Sequence, residues 1–164
     1  MTRILLAFCI LFASATLTSG QATVRVEPTH LQGPRVLEDQ TANAVVKDYI
    51  QSWERLKVAL EQNRPDLLDR DFVGGAKEKL TATIQQQGKT GLRTVYQDRS
   101  HDVQIVFYSP EGLSVELIDT VEYDVQVRDQ DKVIATLPVR ARYTVVLTPA
   151  EVRWRVRVFQ AVAE

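Results

Sequence analysis

The hydrophobic positions of the first third of the chain recur at three- and four-residue steps, which is the period of a helix. They run from Ala42 through Trp53 to Leu60, and polar residues occupy the opposite side. This pattern predicts a long amphipathic helix that begins near Leu37 and ends near Gln62.

Two further helical stretches are indicated before the pattern changes. Pro65 suits the first turn of a short helix through Arg70. A second main helix is predicted from about Val73 to Gln87, and Gly88 is a natural residue to end it. Its expected buried positions are Ala76, Leu80 and Ile84.

After Gly91 the period of the hydrophobic positions switches to two, which is the period of a strand. Four alternating segments follow, separated by short turns near residues 109–112, 129–131 and 148–151. Connections this short predict an antiparallel four-stranded meander with one buried face. Helices followed by a meander give an α+β fold with the helices packed on one face of the sheet.

The N-terminal residues predict an export signal followed by a linker. Arg3 precedes an apolar run from Ile4 to Phe12, which is too short to span a bilayer and is followed by small residues. We therefore expect a signal peptide at 1–21, a flexible linker at 22–36 and the folded domain at 37–164. The expected location is periplasmic or secreted, with no transmembrane segment in the mature protein; cleavage after residue 15, 20 or 22 stays open.

Composition excludes several classes of function. The chain has 20 Lys and Arg against 21 Asp and Glu, so its near-neutral charge gives no overall attraction to nucleic acid, and none is expected as a partner. Cys9 is the only cysteine and lies in the predicted signal, which leaves the domain without disulfides or thiolate ligands. The two histidines, His30 and His101, are far apart and make a poor metal site. We expect no cofactor and no metal.

Asp119 is the candidate residue for chemistry. It shares the parity of Leu117 and Val121, and a carboxylate facing an apolar core would have a raised pKa, as a proton-transfer base often requires. A bulge near Ile118 would turn it outward, and we favour this alternative because long bent strands often carry a bulge. His101 is expected at the surface, because its neighbour Asp102 would point to the opposite face.

Two sets of side chains are candidates for binding. The expected lining of a ligand pocket is Tyr49, Trp53, Asp119, Tyr123 and Tyr143. Ordinary core packing is the favoured alternative for these aromatic residues. The expected interaction surface consists of Arg140, Arg142, Arg153, Arg155 and Arg157. It would suit an acidic partner, whereas the favoured alternative is a set of cross-strand ion pairs.

Short segments spread over residues 40–160 carry a resemblance to a known fold. They are the helix segment Val46–Trp53, the Leu67–Leu68 turn, the helix to Gly88, Arg142–Leu147 and Trp154–Val156. The chain resembles the NTF2-like superfamily, an α+β cone, and looks most like the IMS-type domains of chloroplast-division proteins and related bacterial exported domains. This resemblance implies a cone with a pocket between the helices and the concave sheet. Some members are isomerases or hydrolases, and many only bind partners.

These observations favour an exported non-catalytic binding or protein-interaction module over an enzyme. The expected partner is another exported or envelope protein or an acidic surface, and homodimerisation through the sheet is a further expectation. The alternative is a small-molecule-binding cone with isomerase- or hydrolase-like activity and Asp119 as its base. A cavity of roughly 300 Å³ or more around an inward Asp119 would favour the enzyme, and a filled core would favour the module.

Overall fold

Two helices precede a sheet of long strands in the computed structural model, which describes residues 22–29, 31 and 35–162. The predicted signal peptide at 1–21 and His30 lie outside the described residues. The elements are β1 (Thr23–Val26), α1 (Asp39–Gln62), a 3-10 helix (Pro65–Leu68), α2 (Gly74–Lys89), β2 (Leu92–Tyr108), β3 (Val115–Asp129), β4 (Lys132–Pro149) and β5 (Trp154–Val162). None of the helices among these residues is both long enough and apolar enough to cross a membrane.

The five strands form one sheet in the order β1-β2-β3-β4-β5. Strands β2 to β5 are the predicted antiparallel meander, but β1 pairs in parallel with β2, with Thr23 opposite Ser100. The prediction of four strands is therefore wrong, because the sheet is mixed and its first strand lies within the stretch expected to be a linker. Val24 and Val26 alternate with Thr23 and Arg25, but this run is only four residues long and all four are exposed, so it is a weak signal for a strand.

The core lies between the helices and the inner face of the sheet. The buried side chains of α1 include Val45, Tyr49, Trp53, Leu56 and Leu60, as the helical spacing predicts. They pack against inward residues of the strands, among them Val103, Leu117, Val145 and Val156. The predicted helices and the alternating strands therefore place one layer of helices on one face of the sheet, and the α+β class is confirmed.

Two irregularities in β2 decide which side chains reach the core. The register between β2 and β3 shifts between Asp98 and Ser100 and again between Ile105 and Phe107. Residues three apart on a regular strand point to opposite faces. Because Arg99 is an extra residue in the pairing, Asp98 and His101 both face inward.

The ends of α1 and α2 are joined through Asn63. This residue ends α1 in the left-handed conformation, with φ of 52°. Its side-chain Nδ2 donates to the carbonyl of Leu92 at 2.9 Å, and its Oδ1 accepts from Nε2 of Gln87 at 2.6 Å. One residue therefore fixes the exit of α1, the end of α2 and the start of β2.

We expect Asn63→Ala to lower the free energy of unfolding by about 2 kcal/mol, since alanine disfavours the left-handed conformation and makes neither side-chain hydrogen bond. Asn63→Gly keeps the conformation and loses only the hydrogen bonds, so it should cost less than the alanine variant. Urea unfolding of the three proteins measures both differences. An alanine variant as stable as the original chain would show that this junction contributes nothing.

Candidate functional site

A buried cluster of charged and aromatic side chains lies between α1 and the inner face of the sheet. The Asp119 side chain is fully buried, and His101 is only 1% exposed. Oδ2 of Asp119 accepts a hydrogen bond from the Tyr49 hydroxyl at 2.6 Å and lies 2.7 Å from Nδ1 of His101. The favoured predictions that Asp119 points outward and that His101 lies at the surface are therefore both wrong.

The physical reason is the position of the bulges. Strand β3 pairs with β4 in continuous register from Val115 to Val127, so no bulge near Ile118 reverses its parity. Asp119 therefore stays on the inner face, as the simple alternation of β3 indicates. Val103 is the residue opposite Asp119 on β2, which makes His101 its diagonal neighbour.

A second carboxylate, Asp98, lies on the other side of the His101 imidazole. Its Oδ2 accepts hydrogen bonds from Nε1 of Trp53 at 3.0 Å and from Nζ of Lys57 at 2.5 Å. The same oxygen is 3.8 Å from Nε2 of His101. Sequence reasoning missed Asp98 and Lys57, because the inward turn of Asp98 depends on the bulge at Arg99, which has no signature in the alternation.

The charges in this cluster neutralise one another. Burial opposes the positive charge of His101, but the hydrogen bond to Asp119 and the proximity of Asp98 outweigh it and raise the pKa of His101 to about 9. Burial also opposes the negative charge of Asp98, yet His101 and Lys57 together lower its pKa. At neutral pH His101 is therefore an imidazolium held between two carboxylates, and it has no free nitrogen with which to accept a proton.

The hydroxyl of Tyr49 completes the charged cluster. Burial, followed by the nearby charge of Asp119, raises the pKa of Tyr49 well above its usual value, so the phenol stays protonated and donates to the carboxylate. Although two carboxylates and a histidine lie close together, the described residues contain no group of three or more His, Cys, Asp or Glu side chains that could hold a metal ion. The cluster is an internal ion network.

The aromatic candidates for the pocket lie together around Trp53 and fill the space between them. The indole ring meets Tyr123 and Tyr143 edge to face, with ring centroids 5.7 and 5.5 Å apart. The hydroxyls of these two tyrosines are 3.0 Å apart, and Tyr143 stacks on Phe159 at 4.7 Å. Tyr49 and Trp53 are each 1% exposed. All five predicted pocket residues therefore meet, as the lining of a packed core.

A groove of about 470 Å³ lies on the other side of α1. Its lining includes none of the five predicted pocket residues. It includes Ile50, Arg55 and Val58 from α1, together with Arg70, Asp71 and Arg153. The residues of α1 that line the groove each follow a buried residue by one or two positions: Ile50 follows Tyr49, and Arg55 follows Trp53. This spacing is the only indication of the groove in the sequence of α1.

Two of the five predicted surface arginines hold the segment that precedes α2. Nη1 of Arg153 donates to Oδ1 of Asp71 at 2.7 Å. The Arg155 guanidinium donates to the carbonyls of Asp69 and Phe72. Both side chains therefore bind groups within the domain itself.

The other three arginines are exposed, and two of them, Arg140 and Arg142, lie away from that pair. Arg140 pairs loosely with Glu122 at 3.8 Å, and Arg142 lies opposite Val162. Arg155 lies opposite Thr148, six residues further along β4, which corresponds to about 20 Å at the rise of a strand. Arg157 falls at the register shift in β5. The five arginines therefore do not lie side by side on one surface.

Comparison with known proteins shows the fold. No protein-family model matches the chain, and no curated protein matches it. The intermembrane space region of the chloroplast protein ARC6 is similar in structure, with a TM-score of 0.61 and 14% identity over 80% of this chain and 100% of that one. A candidate scytalone dehydratase from Novosphingobium aromaticivorans gives 0.54 and 13% over 77% and 89%, and Kfla4162 from Kribbella flavida gives 0.51 and 12% over 74% and 93%. The fold is the NTF2-like cone, which confirms the predicted resemblance.

The raised pKa of His101 predicts that stability falls as pH rises. The pKa in the folded state, about 9, exceeds the ordinary value of 6.5, so the stabilisation is complete below pH 6.5 and is lost as pH approaches 9. We expect the free energy of unfolding to decrease by roughly 3 kcal/mol across this window. Urea unfolding at a series of pH values and constant ionic strength measures this decrease in the free energy of unfolding. His101→Gln should flatten the profile, and an equally flat profile in the original chain would contradict the network.

The sealed centre predicts that Trp53 is protected from small solutes. In a Trp154→Phe background Trp53 is the only tryptophan, and acrylamide should quench its fluorescence several-fold less than in the same protein unfolded in urea. The matched Trp53→Phe variant keeps only the partly buried Trp154, which should be quenched more. Quenching of Trp53 at the level of the unfolded chain would mean that small molecules reach the centre.

Proposed function

We propose that this NTF2-like domain is an exported, non-catalytic binding module that takes up a segment of another protein on the inner face of its sheet. In this proposal residues 1–21 are removed on export, and the partner is another exported or envelope protein. The binding surface is the inner-face patch, made of the side chains that continue the inner face beyond Trp53. Its members are the partly or largely exposed side chains Tyr96, Val125, Leu137, Val139 and Ala141, and the buried Tyr123 lies beneath them.

The exposure of Leu137 is the observation that carries the proposal. Leu137 is paired with Val125 and has the same parity as Val139 and Tyr143, so it lies on the inner face. It is nevertheless 58% exposed, which means that no helix covers the sheet at this point. An apolar side chain on the core-facing side of a strand, left open to water, is typical of a surface that another molecule covers.

The composition of the patch also supports recognition of a protein. Tyr96 and Tyr123 lie with their ring centroids 4.8 Å apart, and aliphatic side chains surround them. Tyrosine and other aromatic residues are enriched at protein interfaces, where they bury a large area at little cost in conformational entropy. Burial raises the pKa of Tyr96 to about 12, so the phenol stays neutral and can donate to a partner.

The charged cluster argues against the enzymatic alternative. A general base needs a free lone pair within hydrogen-bonding reach of its substrate. Asp119 is fully buried: its Oδ2 accepts from Tyr49 and His101, and its Oδ1 has no hydrogen-bond partner among the described residues but is enclosed, out of reach of a substrate. His101 is positively charged at neutral pH. The fold alone does not decide, because the candidate scytalone dehydratase and the ARC6 region both share it.

Partner capture by variants of the patch tests the proposal. We expect Leu137→Arg to abolish capture of the proteins that the original chain retains from an envelope extract, because it places a charge in the apolar patch. Val133→Arg is the matched control, since Val133 is exposed on the same strand outside the patch and should leave capture unchanged. An identical set of captured proteins from all three chains would overturn the proposal.

Two further measurements separate the alternatives. Tyr49→Phe removes the hydroxyl beside Asp119 and should leave partner capture intact. Loss of a cellular phenotype in this folded variant, with capture unchanged, would indicate chemistry at the cluster. Sedimentation at increasing concentration tests self-association. A dimer that Leu137→Arg dissociates would make a second copy of this chain the occupant of the patch and would contradict a different protein as the partner.

A further inference from the structure

The groove on the outer side of α1 is built from three parts of the chain. One wall is the flank of α1 that carries Ile50, Arg55 and Val58, and the opposite wall carries Arg70, Asp71 and Arg153. Its volume of about 470 Å³ lies within the range of natural ligand sites, roughly 300–1,000 Å³. The inner-face patch lies on the sheet, so the two surfaces are distinct.

The far wall of the groove is held rigidly. The carbonyl of Asp71 accepts from the amide of Val156 at 2.8 Å, and the amide of Val73 donates to the carbonyl of Val156 at 2.9 Å. These bonds attach the segment before α2 to strand β5. The Asp71 carboxylate is itself buried and bound by Arg153 at 2.7 Å. The wall is therefore in place before any ligand arrives, and no loop has to be ordered on binding.

Positive charge in the groove exceeds what its own carboxylates use. Nε of Arg55 is 3.7 Å from Oδ2 of Asp71, too far for a hydrogen bond, and its side chain is 42% exposed. Arg70 is exposed and makes no ion pair with any other residue that the structure describes. Glu54, the other acid of the lining, lies 2.9 Å from Nζ of Lys57. Two guanidinium groups thus face the groove with donors to spare.

The way in which Asp71 is held shows what this groove accepts. Its carboxylate sits between Arg153, which donates one charge-assisted hydrogen bond to it at 2.7 Å, and Arg55, whose Nε lies 3.7 Å away. Beside the two available cations, Ile50 and Val58 offer apolar surface that is partly open. A ligand that matches both features carries a carboxylate next to an apolar group.

We propose that the groove binds a short acidic segment of a partner protein. A carboxylate of the segment binds Arg55 and Arg70, and a neighbouring apolar side chain packs on Ile50 and Val58. The groove is open along the flank of α1, which suits an extended segment. This binding site is additional to the inner-face patch and stands or falls independently of it.

Nuclear magnetic resonance with a defined probe tests the proposal. The probe is the capped dipeptide leucyl-glutamate, added to the ¹⁵N-labelled protein, and its counterpart is capped leucyl-glutamine. We expect saturable shifts of the side-chain Nε–H signals of Arg55 and Arg70, with a Kd in the millimolar range. The glutamine dipeptide should bind about ten-fold more weakly, because the charge-assisted hydrogen bonds are lost. Added salt should weaken binding of the glutamate dipeptide.

Variants make the assignment specific. Arg55→Gln and Arg70→Gln should each weaken binding of the glutamate dipeptide, and unchanged backbone signals elsewhere verify that both variants are folded. Arg142→Gln is the matched control, because Arg142 is an exposed arginine of β4 outside the groove. Leu137→Arg should also leave the dipeptide's affinity unchanged, which separates this site from the inner-face patch.

Four results would overturn the proposal. The first is the absence of saturable shifts at Arg55 and Arg70. The second is equal affinity for the glutamine dipeptide, which would remove the carboxylate from recognition. The third is an equal loss of affinity in Arg142→Gln, which would indicate nonspecific attraction to basic residues. The fourth is equally tight binding of glutarate alone, which would show a general anion site with no contribution from the apolar neighbour.

Discussion

The fold of this domain depends on one buried imidazolium that is held between two carboxylates. His101 and Asp98 come from β2 and Asp119 from β3, while Lys57 and Tyr49 reach them from α1. Burying an ion is costly unless opposite charges and hydrogen bonds compensate it, and removing one partner from such a set typically costs about 3–5 kcal/mol. The network therefore disfavours arrangements of α1 against the sheet that would separate these charges. It ties the direction of α1 to the register of β2 and β3.

The same charges determine how Asp98 and Asp119 are held at the centre of the cone. Each carboxylate uses its Oδ2 for the shared contacts, and among the described residues Oδ1 of Asp98 and of Asp119 has no hydrogen-bond partner. The negative charges of these two buried carboxylates are therefore compensated mainly by the neighbouring cations, His101 and Lys57. A substrate that took His101 or Tyr49 away from Asp119 would leave a buried carboxylate without compensation. Binding at the rim of the sheet or on the outside of α1 avoids that cost.

Periodicity predicts most of this fold, and local irregularities account for what it misses. The helical spacing of α1 and the alternation of β3 both follow from continuous burial of one face, so Trp53 and Leu117 are where the sequence places them. Strand β1 has no buried face, and its alternation spans only four residues, so its signal is weak. The bulge at Arg99 depends on a match between two strands, which the sequence of β2 alone does not contain. For this reason Asp98 was missed, and the assumption of a bulge in β3 misplaced Asp119.

The arginines in and next to β5 also show what alternation along a strand cannot predict. Alternation gives Arg153, Arg155 and Arg157 one parity, but parity does not say what stands opposite each residue. The segment from Asp71 to Val73 runs beside β5 at Val156, and it takes up Arg153 and Arg155. Contacts between residues about 80 positions apart decide which cations remain available. Arg153 lines the groove, Arg155 binds the segment before α2, and Arg140 and Arg142 of β4 lie exposed.

Helix α1 links the two proposed binding surfaces, because it forms a wall of the core on one side and of the groove on the other. Tyr49, Trp53 and Lys57 follow one another at four-residue steps and hold the ion network and the aromatic centre. Ile50, Glu54 and Val58 each come one residue later, about 100° further around the helix, and line the groove. The buried charges therefore fix the rotation of α1 about its axis, and this rotation in turn fixes the positions of Ile50, Glu54 and Val58 in the groove. Any change that loosens His101 from its carboxylates also loosens the position of the groove's wall, so the internal network is a condition for recognition outside it.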